Sequence, residues 1–136
     1  MTMTLKNGNL NRGLDLFNQA HFFDAHEALE DVWRSLPRRA PSYRSLRLHV
    51  QGMVQLAVAF HHQSKGNHLG ARSVLERALR NLKGAETSFP DLDFERLHAD
   101  LVLWQQFLHD KEIQRSDESD VRLRKAPALP KIIRHR

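Results

Sequence analysis

The stretch FFDAHEALEDVWR, residues 22–34, decides how the rest of the chain is read. With 3.6 residues per turn, Ala25, Leu29, Val32 and Leu36 line one face of a helix, and His26, Glu30 and Trp33 follow one another at steps of four and three beside it. The first stripe belongs to a core. The second is unusual, because a helix surface with no further task is filled by residues such as Lys or Ser. Asp24 followed by Glu27 has the pattern of an N-cap with its reciprocal carboxylate, and Pro37 stops the helix, which predicts a span of residues 24–36.

Working outward, every other periodic segment is also helical. Leu10, Leu14 and Phe17 predict a first helix over residues 9–20. Beyond a tight basic loop at residues 37–41, the longest helix is expected over residues 42–64, with Leu46, Val50, Met53, Ala57 and Phe60 as its main stripe. Val54, Leu56, Val58 and Ala59 make its middle turns apolar nearly all round, the mark of a helix contacted on several sides. A polar line of Gln51, Gln55 and His62 nevertheless runs along it. Gly66 suits a left-handed helix end and Asn67 the next N-cap, so the chain reverses there into a helix over residues 68–83, ended by Gly84. Asp93 caps a last helix carrying Phe94, Leu97, Leu101, Trp104 and Leu108 to about residue 110. Nothing reads as strand.

FDAHEALE, from Phe23, aligns with LGARSVLE, from Leu69, matching Ala25 to Ala71, Leu29 to Leu75 and Glu30 to Glu76. Each copy is the second arm of a helix pair. The expected architecture is therefore a single all-α bundle of about five helices, two hairpins resembling tetratricopeptide units plus a closing helix, over residues 1–110. Residues 111–136 are expected to be a polar linker, KEIQRSDESD, and a basic, Pro-containing tail in which APALPKII either lies extended across the bundle or is disordered.

The net charge of +5 has one source. Six of the 21 Lys and Arg (Arg122, Arg124, Lys125, Lys131, Arg134, Arg136) lie from Val121 onward, where no acid falls, so the preceding chain holds 15 bases against 16 acids and is nearly neutral. With no aromatic to stack a base, such a tail fits weak, salt-dependent phosphate contact rather than sequence recognition of nucleic acid. Cysteine is absent, which excludes disulfides, thiolate metal sites and cysteine nucleophiles. The apolar run Met53 to Phe60 is far too short to cross a bilayer, and MTMTLKNGNLNRG has no secretory apolar segment, so no membrane partner and a cytoplasmic location are expected.

The segment FNQAHFFDAHEALEDVWR followed by QGMVQLAVAFHHQSKGNHLGA resembles the bacterial, archaeal and plastid proteins grouped as domain-of-unknown-function family 309. The resemblance spans about residues 14–108. It is most specific in Asp24, Ala25, His26, Glu27, Glu30 and Trp33, and in the series Gln51, Gly52, Gln55, Ala57, His62, Gly66 and Asn67. It implies a small all-helical bundle and no established activity. The basic carboxyl-terminal extension lies outside it.

Candidate chemistry centres on His26, Glu27, Glu30, Trp33, Arg34, Gln51, Gln55 and His62. The leading expectation is that His26, Glu30, Trp33, Gln55 and Arg34 form a satisfied structural network where the first helices cross, with the Trp33 indole N–H finding an acceptor. The chain is then a non-enzymatic protein-interaction module, monomeric or a homo-oligomer, that needs no cofactor. A second expectation is a small metal-assisted hydrolase, with His26 and Glu30 holding a divalent metal and Gln55 and His62 in support. The Glu-x-x-His signature of bundle metal sites is missing, however, and His61 and His62 point about 100° apart. The tail gives the third, nucleic-acid contact. No glycine-rich phosphate loop, serine elbow, deaminase or kinase signature is present.

Overall fold

The computed structural model describes residues 7–114 and 125–135. They form α1 (Asn7–Asn18), α2 (Phe22–Ser35), a 3₁₀ turn (Pro41–Tyr43), α3 (Arg44–Ser64), α4 (His68–Asn81), the single turn α5 (Ala85–Ser88) and α6 (Phe94–Gln114). The described residues contain no β-strand, only an isolated antiparallel bridge between Leu92 and Arg134. The fold is all-α, and its long helices pack in chain order: α1 on α2, α2 on α3, α3 on α4, α4 on α6.

α3 is the centre of this stack because its apolar residues point several ways. Leu46, Val50, Met53, Leu56, Ala57, Ala59 and Phe60 are all buried. At one end of the core, Phe17, Phe22 and Phe60 meet with centroids 5.3–6.2 Å apart, and Trp104 stands edge-on to Phe60 at 5.2 Å. Aromatic pairs in this geometry contribute about 0.5–1.5 kcal/mol each beyond their buried area. They tie α1, α2, α3 and α6 into one core.

The helix ends follow local chemistry, with one correction. Asn67 caps α4, its Oδ1 accepting from the Gly70 N–H at 2.9 Å, and Asp93 caps α6 through the Arg96 N–H at 3.0 Å. α2, by contrast, starts at Phe22 rather than at Asp24, and its cap residue His21 makes no side-chain capping bond. Burial of Phe22, the first helical residue, against Phe17 and Phe60 fixes the earlier start. Asp24 sits in the first turn, where a carboxylate still favours the positive end of the helix dipole.

Two further features complete the fold. α5 follows Gly84, whose φ of +75° turns the chain sharply, and it is clamped to α3 by the buried His49. His49 Nε2 lies 2.9 Å from the Lys83 carbonyl oxygen, so it must donate, which leaves Nδ1 to accept from the Ser88 hydroxyl at 2.6 Å. The second feature is the chain's return. α6 runs four residues past the expected boundary at residue 110, to Gln114. Residues 125–135 then lie extended along the bundle. Trp104 Nε1 donates to the Ala128 carbonyl at 2.9 Å, Asn18 exchanges two bonds with Ile132, and the Ile133 carbonyl accepts from the Asp93 N–H at 2.8 Å. Pro130 and Ile132 are buried by this docking.

Candidate functional site

The polar stripe of α2 forms, but on the helix surface. Glu30 is shared between the turns above and below it: His26 Nε2 lies 2.9 Å from Oε2, and Arg34 Nη2 donates to Oε1 at 2.7 Å. The side chains of His26 and Glu30 are 28% and 29% exposed, so this is a half-open row of i,i+4 pairs and not a sealed network between helices. Beyond it Phe23 is 54% exposed, its ring 6.0 Å from that of His26 and 5.6 Å from that of His61 on α3. Glu27 is exposed beside the row.

The remaining sequence candidates part company. Gln55 faces the other way, its Oε1 accepting from Asn81 Nδ2 at 2.8 Å, and so joins α3 to α4. His62 lies in the last turn of α3, with Nδ1 3.4 Å from Asn67 Nδ2. His26, Glu30 and His62 are therefore not gathered, and among the described residues no three His, Asp or Glu side chains lie close enough together to hold a metal ion. In the tail, Lys125 and Lys131 are exposed, Arg134 bonds Asn11 at 2.9 Å and stands 3.7 Å from Asp91, and Arg122, Arg124 and Arg136 lie outside the described residues.

Trp33 and Gln51 come together elsewhere, in a cleft of about 680 Å³ where the α2–α3 connection folds over the start of α3. Its other polar lining is Arg38, Arg39, Arg44 and Arg47, with no carboxylate. The Arg47 guanidinium lies 4.6 Å above the centre of the Trp33 ring and donates to the Leu36 carbonyl at 3.0 Å. The Trp33 indole N–H is buried and has no acceptor, which corrects the expectation that it finds one. A donor in that state costs about 1–3 kcal/mol. The connection's basic residues were visible in sequence, but their closure around Trp33 depends on how α2 crosses α3. A second groove, of about 890 Å³ between α4 and α6, has an apolar floor and a rim of mixed charge, including Glu76, Arg80, Lys83 and Glu95.

The proteins whose sequences this chain resembles have no assigned role. The chain is 29% identical over 90 residues to the uncharacterized protein YpuF of Bacillus subtilis, an alignment covering 66% of this chain and 48% of that protein. It is 26% identical over 97 residues to an uncharacterized protein of Aquifex aeolicus, covering 71% of this chain and 27% of the relative. The chain thus spans about half the length of one curated relative and about a quarter of the other. No helix among the described residues is long and apolar enough to cross a membrane. The family profile described as a domain of unknown function, DUF309, matches residues 10–74, which hold most of α1, all of α2 and α3, the start of α4, the α2 ion-pair row and the arginine cleft, so the resemblance to that family is borne out over this segment.

Proposed function

We propose that the chain is a non-enzymatic helical interaction module, with hairpins of the tetratricopeptide kind, that meets a protein partner through the outer face of α2. The observation behind this is Phe23, a large ring left more than half exposed at the end of an ordered ionic row. An aromatic anchor within a polar rim is the usual anatomy of a binding hot spot. Asp24, Glu27 and Asp31 are exposed on the same helix, so the fitting partner offers an apolar pocket with basic residues around it. Both oxygens of Glu30 are already engaged, which suits a positioning role. The row itself adds little to stability, about 0.3–0.5 kcal/mol per exposed i,i+4 pair. The hydrolase reading at His26 and Glu30 and the nucleic-acid reading of the tail draw no support from this geometry.

The test is proximity labelling in the native host with the wild-type chain and with Phe23→Asp, a substitution at an exposed position that leaves the core untouched. A set of neighbours marked by the wild type and reduced roughly 10-fold or more by the variant is expected. Labelling that the variant leaves unchanged overturns the proposal. Should sedimentation show a wild-type dimer that Phe23→Asp dissolves, the partner is a second copy of the chain and the acidic-face argument fails.

A further inference from the structure

We infer that the arginine cleft beside Trp33 is a binding site for a compact polyphosphate group. Four guanidinium groups line one concavity, and no carboxylate among the described residues pairs with Arg38, Arg39 or Arg44. Gathering like charges without counter-charge is unfavourable in the free chain, and a multivalent anion removes that cost. Arg47 is held in place before any ligand arrives, stacked on Trp33 and bonded to the Leu36 carbonyl, so ordering it costs a ligand little. The planar fork of each guanidinium matches two oxygens of a phosphate, and four of them exceed what a single carboxylate can satisfy. The Gln51 amide adds an uncharged donor.

Size and surroundings favour a small ligand over a polymer. A volume of about 680 Å³ falls in the range of small-molecule sites. Along α2, away from the cleft, Asp24, Glu27 and Asp31 are exposed and repel a polyanion that extends in that direction. This site is separate from the Phe23 face, and loss of binding at one leaves the other standing.

The experiment is titration calorimetry of the full chain at low ionic strength with tripolyphosphate, with citrate as a carboxylate control and a single-stranded oligonucleotide as a phosphodiester control. One tripolyphosphate per chain is expected, bound more tightly than citrate and weakened by added salt. The triple variant Arg38→Ala/Arg39→Ala/Arg44→Ala alters only exposed side chains and should lower the affinity at least ~100-fold with an unchanged helical circular dichroism spectrum. If that variant does not fold, Arg44→Glu alone provides the same test. Absence of binding, or binding the variants leave intact, overturns the site. Equal affinity for citrate overturns the phosphate assignment, and oligonucleotide binding that strengthens with strand length overturns the compact ligand.

Discussion

The turn that closes α1 onto α2 and the turn that closes α3 onto α4 make the same backbone bonds out of different residues. In the first, the Ala20 N–H bonds the Phe17 carbonyl and the His21 N–H bonds the Leu16 carbonyl. In the second, the Gly66 N–H bonds the Gln63 carbonyl and the Asn67 N–H bonds the His62 carbonyl. Both are Schellman endings, with a left-handed residue followed directly by the cap of the next helix. Gly66 at φ +78° and Asn67 with its capping bond meet every local requirement. Ala20 at φ +64° and His21 with no capping bond meet neither. Tertiary packing thus imposes on the first hairpin a turn that local preference supplies in the second. Phe17, Phe22 and Phe60 are the side chains that impose it.

The sharpest way to break the likeness between the hairpins is to crowd the helix contacts themselves. A Cβ at Gly13 would stand 2.7 and 2.8 Å from the side chain of Leu29, and one at Gly52 would stand 2.8 and 3.0 Å from that of Leu82. The distances match but the neighbours differ, since Leu29 is fully buried while Leu82 is only partly so and can yield. Gly13→Ala is expected to destabilise by about 2 kcal/mol, within the range for overpacked cores. Alanine's better helix propensity, about 1 kcal/mol, counts equally at both helical glycines, so the difference rests on Leu82, which can give way while only the Ala78 carbonyl oxygen at 3.3 Å stays fixed, and for Gly52→Ala a net loss below about 1 kcal/mol is expected. Urea unfolding of the two variants checks the ranking, and equal losses would mean that neither leucine can move.

That ranking also marks what was legible from sequence. The repeat joining Ala25, Leu29 and Glu30 to Ala71, Leu75 and Glu76 is mirrored in burial, with both alanines and both leucines in the core and both glutamates ion-paired within their helices. Helices with regular apolar periods, and caps made by Asn67 and Asp93, could be read because the responsible chemistry is local. The start of α2 could not, because no residue at the first turn announces it and Asp24 offers a misleading alternative. The polar line on α3 was visible, but periodicity does not say which neighbour each member faces. Gln51 turns to the cleft, Gln55 to α4 and His62 to a turn, so the imagined four-residue convergence dissolves. Whether APALPKII lies extended or is disordered stays open in the sequence for the same reason, since Asn18, Asp93 and Trp104, which hold residues 125–135 along the bundle, lie far away in the chain.

Removing the caps tests the comparison at intermediate cost. Asn67→Ala deletes the bond to the Gly70 N–H and should destabilise by about 1 kcal/mol, the usual value for a lost N-cap. His21→Ala, at the matching position, removes no capping bond and should change stability by less than about 0.3 kcal/mol. A comparable loss at His21 would reveal that its imidazole supports the turn through a contact other than capping.

The smallest effect carries the most pointed test, because it has opposite signs in the two turns. An L-residue in the left-handed region brings its Cβ close to the following carbonyl, at a cost of about 1–2 kcal/mol. Glycine escapes that clash but loses more backbone entropy on folding, about 0.5–1 kcal/mol relative to alanine. Gly66→Ala introduces the clash and should destabilise by about 0.5–1 kcal/mol, whereas Ala20→Gly relieves it and should stabilise by a similar amount. Equilibrium unfolding of both single variants and of the double exchange measures the balance, and because the turns share no partners the two changes should add to nearly zero. A gain at Ala20 with no loss at Gly66 would mean that the second turn tolerates a Cβ, and the contrast would then rest on the first hairpin alone. No gain at Ala20 would show that the aromatic core, rather than the dihedral of one residue, limits the stability of the first hairpin.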